Sequence, residues 1–140
     1  MKILLAADGS EYTRRMLDFV TANTSLFDAA HDYTVFHAQP QLPPRAASMV
    51  GSTAVHDYHA DEARQVLEPA VAALTSRGLK AASEWKAGPA GETIAEYAEK
   101  GGYGLVIMGS HGHGALARVV MGSVASRVLA HCNVPVLLIR

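Results

Sequence analysis

One short stretch, Met108-Gly109-Ser110-His111-Gly112-His113-Gly114, carries residue types that hold anions with backbone rather than with side chains. Its three glycines let the chain turn sharply and bring N–H groups against a ligand with no Cβ in the way. Thirteen positions after Gly109 comes Gly122-Ser123, at the head of an apolar helical pattern. The N–H groups and positive dipole end of such a helix suit a negative charge, and the Ser123 hydroxyl adds a donor. Two such segments meeting at one place would form a phosphate cradle. The charge distribution points the same way. Residues 1–99 hold 8 basic and 13 acidic groups, whereas residues 100–140 hold Lys100, Arg118, Arg127 and Arg140 and no acid, so the glycine-rich half would not repel an anion.

Asp8, in Asp8-Gly9-Ser10, has two readings of equal weight. It caps the turn that follows, as Asp often does, or it hydrogen-bonds a ribose or base or helps hold a metal beside phosphates. His111 and His113 alternate and would face one side of an extended segment. Phosphate contact by His111 is favoured over metal ligation. His56, Asp57, His59, Asp61 and Glu62 read as the solvated start of a helix. The single cysteine, Cys132, allows no internal disulfide and no thiolate zinc cluster, and reads as a small buried hydrophobe. Other nucleotide motifs fail. A Walker A loop needs a Lys-Ser or Lys-Thr that is absent, and Gly112-x-Gly114-x-x-Ala117 follows the wrong strand for a Rossmann fingerprint, with no acid about 20 positions on. No Gly-x-Ser-x-Gly elbow is present.

Strands and helices must position these residues. Lys2 to Ala7 is a continuous apolar run, the pattern of a strand covered on both faces. Ser10 is placed to cap a helix whose apolar residues run from Tyr12 and Met16 to Leu26 and Phe27. Tyr33 to Ala38 is a second strand. Gln39 to Thr53, with three prolines, reads as a long loop. A helical stripe follows from His56 to Ser76, with a kink or restart expected at Pro69 and Gly78 closing it. Leu79 to Lys86 is a third strand, and Pro89 opens a helix that Gly101-Gly102 stops. Leu105 to Met108 and Val134 to Ile139 are the fourth and fifth strands, with a helix from about Ser123 to His131 between them. Alternation at this pitch means parallel strands joined by right-handed crossovers, an open doubly wound α/β domain occupying residues 1–140. Ligands in such sheets bind beyond the carboxyl ends of the strands, where the strand order reverses.

Composition excludes several classes. At 49% hydrophobic and 18% charged, the 140-residue chain is too apolar to be disordered. A net charge of −1 argues against a general nucleic-acid or anionic-membrane binder. The opening apolar stretch stops at Asp8, short of a signal peptide, and no run of about 18 apolar residues exists, so a cytoplasmic protein with no membrane part is expected.

The signature Gly109-x2-Gly112-x9-Gly122-Ser123 resembles, without a gap, the nucleotide-binding signature of the universal stress protein family. Leu105-Val106-Ile107-Met108-Gly109-Ser110, Gly122 to Val128, the opening Lys2 to Ser10 and the ending Val134 to Arg140 are also similar. The resemblance implies a five-stranded parallel sheet in the order 3-2-1-4-5 and binding of ATP or another adenine nucleotide with Mg or Mn. Carried over, the backbone of Gly109, His111, Gly112, Gly122 and Ser123 holds phosphates, with Ser110 and His113 in the same loop. Ala6, Asp8, Ala38, Met108 and Val124 line the adenine and ribose side. The chain departs from the family pattern at Gly104, where an acid is usual, and at His111, where several relatives carry Arg.

The fifth strand, apolar and at a sheet edge, is expected to pair with its copy in a homodimer from Val134 to Ile139. The leading expectation is a nucleotide-binding regulatory protein of the stress response, with an unidentified protein partner. A slow metal-dependent ATPase using Asp8, with Arg118 in reach, and a dimeric interaction module that binds no nucleotide are the rivals.

Overall fold

The computed structural model describes residues 1–114 and 120–140, so Ala117 and Arg118 lie outside the described residues. The apolar runs form five parallel strands, β1 (Lys2–Ala6), β2 (Asp32–Gln39), β3 (Ala81–Ala87), β4 (Leu105–Gly109) and β5 (Val136–Ile139), in the order β3-β2-β1-β4-β5. The helices are α1 (Glu11–Ala22), α2 (Pro44–Val50), α3 (Ser52–Thr75), α4 (Ala90–Lys100) and α5 (Ser123–His131). The expected doubly wound sheet is present, and its strand order reverses between β1 and β4.

Strand alternation divides the apolar residues between two cores. Ile3, Leu5 and Ile107 point to one face, where Met16, Val20, Ala63, Leu67 and Leu74 of α1 and α3 cover them. Leu4, Val106 and Met108 point to the other, against Ile94, Ala98, Ala125 and Val128 of α4 and α5. That is why β1 and β4 read as unbroken apolar runs: both faces are dry. Cys132 is half-buried beside the second core.

Several boundaries differ from the sequence reading. Helix α1 ends at Ala22, because Asn23 turns back to bond the Phe19 carbonyl through both its backbone N–H and its Nδ2. Phe27 is buried through a turn, with its ring edge-on to Phe19, so the helical spacing of Leu26 and Phe27 was coincidental. The expected loop from Gln39 to Thr53 contains a short helix that Pro44 opens and Gly51 ends, the latter at φ +85°. Helix α3 runs through Pro69 without restarting. Pro69 lies on its exposed side, where water can satisfy the freed Gln65 carbonyl. Strands β3 and β5 start two residues later than expected.

Candidate functional site

The carboxyl ends of β1, β2 and β4 open into a cleft of about 860 Å³ at the reversal of strand order. Of the twelve residues the sequence nominated, all but Ser110 line it. Ser110 is buried under the rim and ties it together. Its N–H donates to the Ile139 carbonyl and its own carbonyl accepts the Gly122 N–H, each at 2.7 Å.

That second bond corrects the simple cradle. The Gly122 amide is engaged within the protein and does not face a ligand. The first intrahelical bond of α5 is Ser126 N–H to the Gly122 carbonyl, so the amides of Ser123, Val124 and Ala125 are the ones presented to the cleft these residues line. The glycines are required by close packing of the chain on itself. A Cβ on Gly109 would meet Tyr12 Cβ at 2.5 Å, one on Gly112 would meet Asp8 Oδ2 at 2.5 Å, and one on Gly122 would meet His111 Cα at 3.1 Å.

The histidines part company. His113 Nε2 lies 2.7 Å from the Asp8 carbonyl, an acceptor only, so Nε2 carries the proton and the ring straps the glycine loop to the turn after β1. His111 lies against Tyr12, with ring centroids 5.2 Å apart, and its Nδ1 meets Ser110 Oγ at 2.8 Å. No group of three His, Cys, Asp or Glu among the described residues could hold a metal ion.

Asp8 caps its turn with one oxygen. Oδ1 accepts from the Ser10 N–H at 2.9 Å and the Thr13 hydroxyl at 3.0 Å, while Thr13 Oγ1 accepts from the amides of Asp8 and Gly9. Oδ2 lies beside Gly112 at the cleft. Ser10 holds the N-cap position of α1, but its hydroxyl makes no capping bond.

The sequence reading missed part of the wall. Thr13, the His37-to-Pro40 segment other than Ala38, and Glu62, Gln65 and Val66 of α3 also line the cleft. Buried His37 donates from Nδ1 to the Ala7 carbonyl at 2.8 Å and meets the Gln39 side-chain amide at 2.9 Å. Glu62 was taken for solvated surface. The missed signal is the spacing of Glu62 and Val66, which share a helix face. His59 was misjudged too: it is buried, and its Nε2 accepts the Leu42 N–H at 3.2 Å. Among the described residues, the basic excess after residue 99 does not gather here either. Lys100 pairs with Glu96 and Arg127 with Glu92, and among the described residues no Lys or Arg lines the cleft. A second hollow, of about 910 Å³, runs shallowly under α2 past His56 and His59 to Trp85, Lys86 and Ala87 at the carboxyl end of β3.

Known proteins share this fold. A universal stress protein of Synechocystis, Slr1230, is 32% identical over 99% of this chain, which spans 42% of that relative's length. The solved structure of protein MJ0577 of Methanocaldococcus jannaschii superposes with a TM-score of 0.80 at 28% identity, covering 99% of this chain and 94% of that one. The universal stress protein of Archaeoglobus fulgidus in complex with dAMP superposes at 0.73 and 22% identity, covering 100% and 98%. Two more distant structures of the same fold hold other adenine nucleotides. A universal stress protein family protein of Arabidopsis thaliana has AMP bound, at TM-score 0.71 and 14% identity over 99% and 90% of the two chains. A universal stress protein in complex with cAMP superposes at 0.70 and 16% identity over 100% and 97%. No described helix is long and apolar enough to cross a membrane. With the family's model matching residues 1–140, the chain belongs to the universal stress protein family.

Proposed function

We propose that this protein binds an adenine nucleotide in the cleft beyond β1, β2 and β4 and acts as a cytoplasmic regulatory protein of the stress response. The observation that carries the reading is the meeting, at the strand-order reversal, of the His111–Gly114 loop and the amino end of α5 around one cleft. In this reading the Ser123, Val124 and Ala125 amides and the glycine loop take the phosphate. Ala6, Ala38, Met108 and Val124 form an apolar slot for the base, and Asp8 Oδ2 faces the ribose. The chain offers no metal site of its own among the described residues, so Mg²⁺ or Mn²⁺ would arrive on the phosphates of an ATP, with Asp8 as a protein neighbour.

Occupancy has a route to the surface. Pro40 lines the cleft, and two residues on His59 holds the Leu42 amide beside α2, which exposes Met49 and Val50. A partner protein would read that surface. Assembly is proposed through β5: its Val-Leu-Leu-Ile edge is apolar, whereas the opposite edge, β3, carries Ser83, Glu84 and Lys86. Sedimentation at micromolar concentration should give the mass of a dimer.

Thermal unfolding with and without nucleotide tests the binding. A ligand at 100 times its Kd stabilises by about 2.7 kcal/mol and raises the midpoint. No shift with AMP, cAMP or ATP at millimolar concentration overturns the reading.

A further inference from the structure

Granted the nucleotide site proposed above, the wall supplied by α3 decides how much charge the ligand can carry. Glu62 is half-buried and lines the cleft. Its helix neighbours Asp61 and Glu68 pair with Arg64 on the exposed face, at 3.1 and 3.8 Å, while the Glu62 side chain makes no ion pair or hydrogen bond among the described residues. Val66, one turn further on the same face, has its Cγ2 3.3 Å from the position of a Cβ on Gly9. This face of α3 therefore overhangs the Asp8-Gly9 turn, and one cleft is lined by both Asp8 and Glu62.

A half-buried carboxylate acts through a lower effective dielectric than bulk water, so its repulsion is felt across a cleft of this size and grows with each phosphate a ligand adds. We infer that Glu62 is the charge-selecting residue of the cleft, lowering the affinity for an adenosine triphosphate relative to that for an adenine ligand with a single phosphate, monoester or cyclic diester. The glycine loop and α5 recognise a phosphate without asking how many follow. Glu62 supplies that discrimination from the opposite wall.

Calorimetric titration of the full chain with AMP and with ATP, in metal-free buffer at low ionic strength, tests this. Glu62→Gln should tighten ATP by about tenfold and AMP by about threefold, narrowing as salt is added. Gln65→Glu, which adds a carboxylate to the same wall, should move the ATP-to-AMP ratio the other way. Asp61→Asn removes an equal charge from the outward face and should leave the ratio within about twofold, because an exposed charge is screened. A ratio unchanged in both Glu62→Gln and Gln65→Glu, or moved as far by Asp61→Asn, overturns the inference while the nucleotide site stands. Loss of both ligands in Glu62→Gln also overturns it, since the carboxylate would then be holding the ligand rather than sorting it. A wild-type protein that binds neither ligand removes the site and the inference together.

Discussion

The two walls of the cleft are made of different material. On the β4 side, Gly109 to Gly114 and the start of α5 present mostly backbone, held by bonds such as Gly122 N–H to the Ser110 carbonyl. On the α1 and α3 side, Asp8, Thr13, Glu62 and Gln65 present side chains carried by a turn and two helices. A backbone wall tolerates almost no change in its own glycines but reads little of a ligand beyond its negative charge. A side-chain wall can change its chemistry without moving the fold, which makes it the place where relatives with one topology can differ in what they bind.

The largest effect expected from this contrast is on stability. Gly109→Ala puts a Cβ 2.5 Å from Tyr12 Cβ and 3.0 Å from the His111 carbonyl, neither of which can retreat without moving α1 or the loop. Thermal or urea unfolding should show a loss of about 2–3 kcal/mol. Gln65→Ala on the other wall, at an exposed position, should stay within about 0.5 kcal/mol. Equal losses would mean that the walls do not differ in the way described.

The same contrast explains what the sequence disclosed. The sheet was legible because β1 and β4 are dry on both faces and so read as apolar runs, and the β4 wall was legible because Gly109, Gly112 and Gly122 stand where a Cβ would crowd the chain. What the glycines are for was not legible. They admit Tyr12, Asp8 and the His111 backbone, contacts from residues about 100 positions away or across a loop. The α3 wall was hidden for a related reason. Glu62 among His56, Asp57, His59 and Asp61 looks like any polar helix start, and only the seating of Val66 over Gly9 turns it inward. Helix α2 buries none of its residues, so no hydrophobic stripe announced it within a proline-rich stretch.

On the side-chain wall, Thr13 carries more than its size suggests. Its hydroxyl accepts two amides and donates to Asp8 Oδ1 while nearly buried. Thr13→Val keeps the shape and leaves the Asp8 and Gly9 amides without their acceptor, a loss of about 2 kcal/mol by denaturant unfolding. Ser10→Ala, three residues earlier, removes a buried hydroxyl that has no partner among the described residues and should cost nothing measurable. A reversed order would place the cap of the Asp8 turn on Ser10.

On the backbone wall, one amide can be deleted without touching a side chain the fold needs. Ser123 is the first residue of α5, the position where proline fits a helix best, and Gly122 before it is already extended at φ −71°, ψ 162°. Ser123→Pro should leave the unfolding midpoint near the wild type and weaken adenine nucleotide binding about tenfold, the worth of one charge-assisted bond. Ser123→Ala, which keeps the amide, should weaken it less. If the two variants bind alike, the hydroxyl rather than the backbone makes the contact.

The smallest effect concerns what anchors α5, and with it the backbone wall. Arg127 donates to Glu92 of α4 at 2.7 Å, beside Gly91, where a Cβ would strike Arg127 Cβ at 2.4 Å. Glu92's own backbone N–H, and then the Arg127 guanidinium, hold its carboxyl below the ordinary value of 4.5. A carboxylate with a lowered folded pKa adds stability that is present above its unfolded value and is lost as pH falls through the folded one. The difference in melting temperature between wild type and Glu92→Gln should therefore be present at neutral pH, fade below pH 4.5 and shrink with salt. It should also be slight, because the pair is exposed to solvent while Ala125 and Val128 are buried against the sheet and do most to fix the helix. A large loss at neutral pH would mean that charge rather than packing seats α5, and nucleotide affinity in Glu92→Gln would then fall along with stability.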